Sequence, residues 1–126
     1  MIDFKNSSVF KLKPIDAADV RPAFHQFLID GETIFAAFKT IRDQLVFTNY
    51  RVIAANVQGI TGSKVDYTSL PYNRIQAFSV ESSGTLDLDA EIQLYLSELG
   101  KVSFEIRGSF DVIRFNRLIS ERILTS

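Results

Sequence analysis

The sequence holds one histidine and no cysteine among 126 residues. A hydrolytic triad needs a nucleophile, a base and an orienting acid, and a catalytic zinc needs three protein ligands. His25, set between Phe24 and Gln26, has no such company and reads as a helix-surface histidine. Without cysteine there are no disulfides, no thiol nucleophiles and no thiolate metal sites. The run Gly59-Ile60-Thr61-Gly62-Ser63-Lys64 is superficially like a phosphate loop. That loop needs four residues between its glycines and a strand before, a helix after. Here two residues separate the glycines and strand-like runs flank both sides, so Gly59 and Gly62 read as positive-φ turn positions. Asp87, Asp89 and Glu91 alternate, so on a strand they share one face and could meet a hard cation. Calcium wants six or more oxygens, and an EF-hand glycine is replaced here by Ile92. The row reads instead as a solvated face or an acidic partner surface. No metal, cofactor or small-molecule substrate is expected. Lys39, Arg42, Arg51 and Lys64 form a basic cluster if neighbouring strands bring them together. Of these, Lys39, Arg42 and Lys64 could meet anionic lipid headgroups at a membrane surface. Asp43 beside Arg42 is an equally suitable partner for that guanidinium.

The elements that must position these residues follow from periodicity. Gln44–Thr48 and Arg51–Asn56 flank the polar break Thr48-Asn49-Tyr50 and read as a β-hairpin, with Asn49 suited to the left-handed turn position. Period-two patterning runs from Glu32 and gives seven strands: Thr33–Lys39, Gln44–Thr48, Arg51–Asn56, Lys64–Thr68, Ile75–Glu81, Ala90–Leu96 and Lys101–Ile106. Before them lie an irregular arm, Met1–Lys13, and a helix from Val20 to Ile29, with Asp19 as N-cap and Gly31 as stop. After them Gly108-Ser109 ends the sheet and caps a helix over Phe110–Leu124, whose Val112, Phe115, Ile119 and Ile123 make an apolar stripe. This gives one domain over 1–126: arm and helix 1–31, sheet 32–107, helix 109–125.

Fourteen basic against fifteen acidic residues argue against nucleic-acid binding, which draws on a basic excess. No apolar run is long enough for a bilayer span or a signal peptide, so a soluble, cytoplasmic protein is expected. The runs Ile34–Phe38 and Val52–Ala55 carry no charge and are apolar on both faces. Their outer faces, with Phe35 and Tyr95 on the outer side, are covered either by another subunit or by the N-terminal helix.

The chain resembles the bacterial pleckstrin-homology (PH) domain family. The resemblance rests on Arg42-Asp43, Phe47-Thr48-Asn49, Arg51, Gln58-Gly59-Ile60-Thr61-Gly62, Lys64, Tyr67 and Ser69-Leu70-Pro71-Tyr72. It continues through Phe78-Ser79-Val80-Glu81, Gly84 and Asp87-Leu88-Asp89-Ala90-Glu91. It implies a mainly β fold with helices: a PH-like, seven-stranded antiparallel bent sheet or partly open barrel, capped by the C-terminal helix. It implies no catalysis. It implies a homo-oligomer of cyclic symmetry, five-fold among short chains, with a polar surface where strands of adjacent subunits meet. The expected surface for a protein partner comprises Arg42, Asp43, Thr48, Asn49, Arg51, Gln58, Thr61, Lys64, Asp87, Asp89 and Glu91.

Overall fold

The computed structural model describes residues 9–82, 89–108 and 110–126, with backbone alone at Val9 and Phe10. Among the described residues eight strands and two helices carry the fold. β1 (Val9–Ile15) precedes a short 3-10 turn (Ala17–Asp19) and α1 (Pro22–Phe27). Then come β2 (Ile34–Lys39), β3 (Gln44–Thr48), β4 (Arg51–Gln58), β5 (Lys64–Pro71), β6 (Ile75–Ser82), β7 (Ala90–Leu96) and β8 (Gly100–Ile106), followed by α2 (Val112–Thr125).

These strands form one sheet in the order β5-β4-β3-β2-β1-β8-β7-β6. All neighbours are antiparallel except β1 and β8, which run parallel. The two outermost strands, β5 and β6, are joined by only the turn Tyr72–Arg74. So short a link brings the ends of the sheet together, and the sheet must curl into a partly open barrel. Its interior is a single apolar cluster with residues from every strand, among them Leu12, Phe38, Phe47, Val52, Leu70, Ile75, Leu94 and Phe104. α2 closes one end with Phe115 and Ile119. The Phe47 and Phe115 rings meet edge to face at 5.0 Å. Phe38 meets Phe115 at 6.0 Å. Such pairs add about 0.5–1.5 kcal/mol each beyond their burial.

Four expectations from the sequence need correction. Among the described residues the sheet has eight strands, not seven, because the end of the arm becomes part of β1, Val9–Ile15. Leu12 enters the core with no exposure while Lys11 and Lys13 stay outside. Pro14 hid the strand, yet it lies past Leu12, the last residue registered with β8. It therefore has a neighbouring strand on one side only, as a proline in a sheet requires. α1 is shorter than the run Val20–Ile29. Pro22 takes the first helical position, where its missing N–H costs nothing. Asp16, not Asp19, supplies a cap, accepting from the Ala18 amide at 2.9 Å to hold the 3-10 turn. α2 is capped by Asp111, which accepts from the Arg114 amide at 2.9 Å. Gly108 is not its cap, and Ser109 lies outside the described residues.

The fourth correction concerns the outer face. Register shifts between Ile34 and Ala36, and this bulge turns Phe35 inward against Phe47 and Phe115. Tyr95 does lie outside, 37% exposed. Ala37, Val46, Ile53 and Ala55 form a second apolar cluster, and Val20 and Phe24 of the same chain cover it. The apolar outer strands are thus accounted for within one subunit.

Candidate functional site

The residues singled out in the sequence separate into two ends of the β3–β4 hairpin and one distant patch. Arg51 starts β4 and Gln58 ends it. At about 3.3 Å per residue the two ends stand roughly 23 Å apart.

At the turn end the hydrogen bonds close on one buried carboxylate. Glu32, 6% exposed, accepts from Arg51 Nε and Nη2, both at 2.9 Å, from the Thr48 hydroxyl at 2.6 Å and from the Ile29 amide at 3.0 Å. Arg51 also donates to the Phe27 carbonyl at 2.9 Å and to Ser69 Oγ at 3.1 Å. Asn49 accepts from the Thr33 amide at 2.8 Å and donates to the Gly31 carbonyl at 2.9 Å. Tyr72 donates to the Thr48 carbonyl at 2.6 Å. Burial works to raise the Glu32 carboxyl, but the bonds from Arg51, Thr48 and the Ile29 amide outweigh it and hold it below the usual range. Burial, aided by the Glu32 charge and opposed by Arg122, pushes the Tyr72 hydroxyl well above its ordinary value. Thr48, Asn49 and Arg51 therefore lock the segment after α1 to the hairpin, and Thr48 has no exposed surface.

At the other end of the hairpin two turns meet. The Thr40 amide donates to the Asp43 carbonyl at 2.8 Å, and the Asp43 amide donates back to Thr40 Oγ1 at 2.9 Å. This closes a tight turn with Ile41 and Arg42 at its tip. Asp43 is buried, and its Oδ1 accepts from the Val57 amide at 2.8 Å, fixing the turn to the end of β4. Arg42 Nη2 donates to the Gly59 carbonyl at 2.5 Å and so ties it to the β4–β5 turn. There Gly59 and Gly62 have φ of +77° and +68°, as the sequence required.

An open cavity of about 940 Å3 lies between these turns and β1. Lys11, Lys13, Lys39, Arg42, Asp43 and Gln58 contribute to its lining. Its position follows from strand alternation. Ile15, Ala37 and Ala55 belong to the outer cluster beneath α1, and Lys13, Lys39 and Val57 lie two residues further along the same faces. The groove is the part of the outer face that α1 leaves uncovered. Lys39 and Arg42 are brought together, but Lys64 and Thr61 are not among its lining residues. Lys64 sits opposite Gln58 at the start of β5. Lys11 and Lys13 were missed because their strand was missed; the alternation in Lys11-Leu12-Lys13 was the available signal.

The acidic residues lie elsewhere. Asp87 falls outside the described residues. Asp89 Oδ1 accepts from the Gly108 amide at 2.7 Å, and Glu91 accepts from Gln93 at 2.9 Å. Glu81, Glu91 and Glu105 stand directly opposite one another on β6, β7 and β8. Among the described residues no group of three or more such side chains is placed to hold a metal ion. His25 is exposed, with Nε2 3.2 Å from the Ala17 carbonyl. Among the described residues no helix is long and apolar enough to cross a membrane.

Comparison with known proteins agrees with this architecture. A family model described as "Bacterial PH domain" matches residues 3–123. The Bacillus subtilis (strain 168) protein YjqA, itself uncharacterized, is 37% identical over 108 residues, 84% of this chain and 86% of its own. The crystal structure of a DUF1696 family protein with a pleckstrin-homology domain from Shewanella loihica PV-4 superposes with a TM-score of 0.74 at 33% identity. It covers 90% of this chain and 98% of its own. A pleckstrin-homology domain from Shewanella amazonensis SB2B gives 0.60 at 35% identity, over 86% and 89%.

Proposed function

Because this chain belongs to the bacterial PH domain family, we propose that it acts without catalysis, as a cytoplasmic binding module that assembles head to tail into a closed ring and presents a polar surface to a protein partner. One observation carries the ring: among the described residues β5 and β6 are the outermost strands of a single curled sheet, each paired with a strand on one side only. A free edge is a row of unpaired N–H and C=O groups that proteins pair, cover or blunt. β5 has Lys64 and Pro71 at its ends, but Ile75–Val80 of β6 contains no charge and no proline. Pairing β5 of one copy with β6 of the next is a heterologous contact, and such contacts generate rings when the rotation closes. The apolar outer strands lend no support, since α1 covers them.

Light scattering on the intact protein across a dilution series tests the ring. A single species of several subunits is expected, with its order lowered by Ala77→Lys and Ser79→Lys together. A monomer at every concentration ends the ring reading. Arg42, Gln58, Thr61, Lys64, Asp89 and Glu91 keep side chains at the surface and supply the partner face. Glu91→Lys is a suitable pull-down probe. Arg51→Glu is not, because it would break the Glu32 clamp.

A second reading is favoured by the groove. Lys11, Lys13, Lys39 and Arg42 face one carboxylate, Asp43, which is already engaged with Val57. Such a surface suits anionic lipid headgroups through charge. Salt-sensitive sedimentation with anionic vesicles, lost in Lys39→Gln/Arg42→Gln, is expected. No sedimentation at low salt ends this reading.

A further inference from the structure

A second cavity opens where the barrel wall is incomplete. β1 registers with β8 only as far as Leu12 and Ile106, and the Arg107 amide ends that pairing on the Leu12 carbonyl at 2.8 Å. Beyond it β1 runs on with β2 alone, through Pro14 opposite Phe38 and Ile15 opposite Ala37. The chain leaving β8 turns at Gly108, whose φ is +100°, and enters α2. A cleft of about 180 Å3 remains between the end of β1, β2 and the first turns of α2. Its lining shares no residue with the cationic groove and takes none from β5 or β6.

The walls of the cleft are apolar. Phe38 and Phe115, 2% and 4% exposed, belong to the core and form its buried part. Phe35, Phe110 and Leu118 are only half-buried, so apolar surface is left open to a guest. A cavity of about 150 Å3 lined by such side chains takes up benzene, whereas drug-sized ligands fill about 300 Å3 or more. This cleft therefore has room for one aromatic ring or one branched aliphatic chain. Its rim carries one charge of each sign. Asp111 and Arg114 both line it and both are exposed. The Arg114 amide donates to Asp111 Oδ1, which fixes that carboxylate at the start of α2. Among the described residues neither side chain is in an ion pair.

We propose that the cleft binds a free α-amino acid of the leucine or phenylalanine class. The side chain packs against Phe38 and Phe115, the α-carboxylate meets Arg114 and the α-ammonium meets Asp111. The charge pair selects this ligand. A fatty acid or a carboxyl-terminal residue brings only the anion, and an amino-terminal residue brings only the cation. The free amino acid brings both beside one apolar side chain of the size the cleft admits.

The test is a methyl NMR titration of the intact protein, read at Ile15, Ala36 and Leu118. The probes are leucine, phenylalanine, alanine, leucinamide and N-acetylleucine. Leucine and phenylalanine are expected to shift these methyls with a Kd on the order of 1 mM. Alanine, which leaves the cleft unfilled, should bind about tenfold or more weakly. Leucinamide and N-acetylleucine each lack one charge and should bind about two- to fivefold more weakly than leucine. Arg114→Gln should erase the difference between leucine and leucinamide. Asp111→Asn should erase that between leucine and N-acetylleucine, and it keeps the helix because asparagine caps as well as aspartate. Arg117→Gln, exposed on the same helix and outside the cleft, should change nothing. No shift of the three methyls by leucine or phenylalanine through about 50 mM would overturn the site. Equal binding of leucine, leucinamide and N-acetylleucine would overturn the amino-acid assignment.

Discussion

Replacing Glu32 by glutamine tests the clamp that ties the end of α1 to the hairpin. The carboxylate receives four hydrogen bonds, two on each oxygen: Arg51 Nη2 and the Ile29 amide on Oε1, Arg51 Nε and Thr48 on Oε2. Glutamine has the same shape but only one acceptor oxygen. Whichever way its amide turns, its nitrogen faces two donors and two bonds are lost. Breaking one member of a buried ion pair costs about 3–5 kcal/mol. The Arg51 side chain is 23% exposed and the Glu32 side chain 0%. The freed guanidinium can therefore reach water, which places the loss near the lower end, about 3 kcal/mol. For a chain of this length that lowers Tm by about 12 °C. Urea unfolding followed by far-ultraviolet circular dichroism measures it, since the chain has no tryptophan. The pH dependence supplies a second check. The folded carboxyl lies below its ordinary value, so its contribution is complete above the unfolded glutamate pKa and fades as pH falls through the folded one. The gap between parent and variant should thus be full at pH 7 and shrink in acid. A gap under about 1 kcal/mol at pH 7, or one that does not shrink, refutes the account of Glu32 as a charged, fourfold acceptor.

The geometry also sets the outcome of five other substitutions. Phe115→Ala should cost about 3–5 kcal/mol in urea unfolding, because the ring packs on Phe35, Phe38, Phe47 and Phe110. Leu124→Ala, 75% exposed on the same helix, should change stability by less than about 0.5 kcal/mol. Gly62→Ala should cost about 2 kcal/mol, since a Cβ there adds a 3.2 Å contact with Val57 to the positive-φ strain; Gly59→Ala, with open space around it, should cost about 1. Phe24→Ala should uncover Ala37, Val46, Ile53 and Ala55, seen as increased binding of an apolar dye with the sheet's circular dichroism retained.

What the sequence disclosed depended on how far apart the interacting residues lie. Ala90–Leu96 alternates cleanly and forms a strand with those bounds, because one face meets the core and the other water. The β3–β4 hairpin was readable from Thr48-Asn49-Tyr50, since turn chemistry is local. β1 was not, because Pro14 signals a break and the parallel partner, β8, lies at the far end of the chain. Phe35 was placed outside by strict alternation; the bulge that turns it inward exists only in the pairing with β3. The glycine turn and the Arg42-Asp43 pair were visible as separate motifs. That they meet, and that Lys11 and Lys13 complete the groove, depends on the barrel's curl. Arg51 looked like a free cation because Glu32 is 19 residues away in sequence.

The parallel pairing of β1 with β8 also orders events in time. A chain leaving the ribosome displays Lys11-Leu12-Lys13 early, but its partner Glu105-Ile106 arrives only after six other strands have been made. β2–β5 can zip by hairpins as they emerge, and β6–β8 likewise, since each neighbour is also the next in sequence. Among the described residues, β1 is the strand whose pairing joins these two halves. Joining them is the step with the largest loop to close and hence the slowest. Until then Leu12 has no completed core to enter, and the half-built sheet keeps a sticky seam that a chaperone could shield.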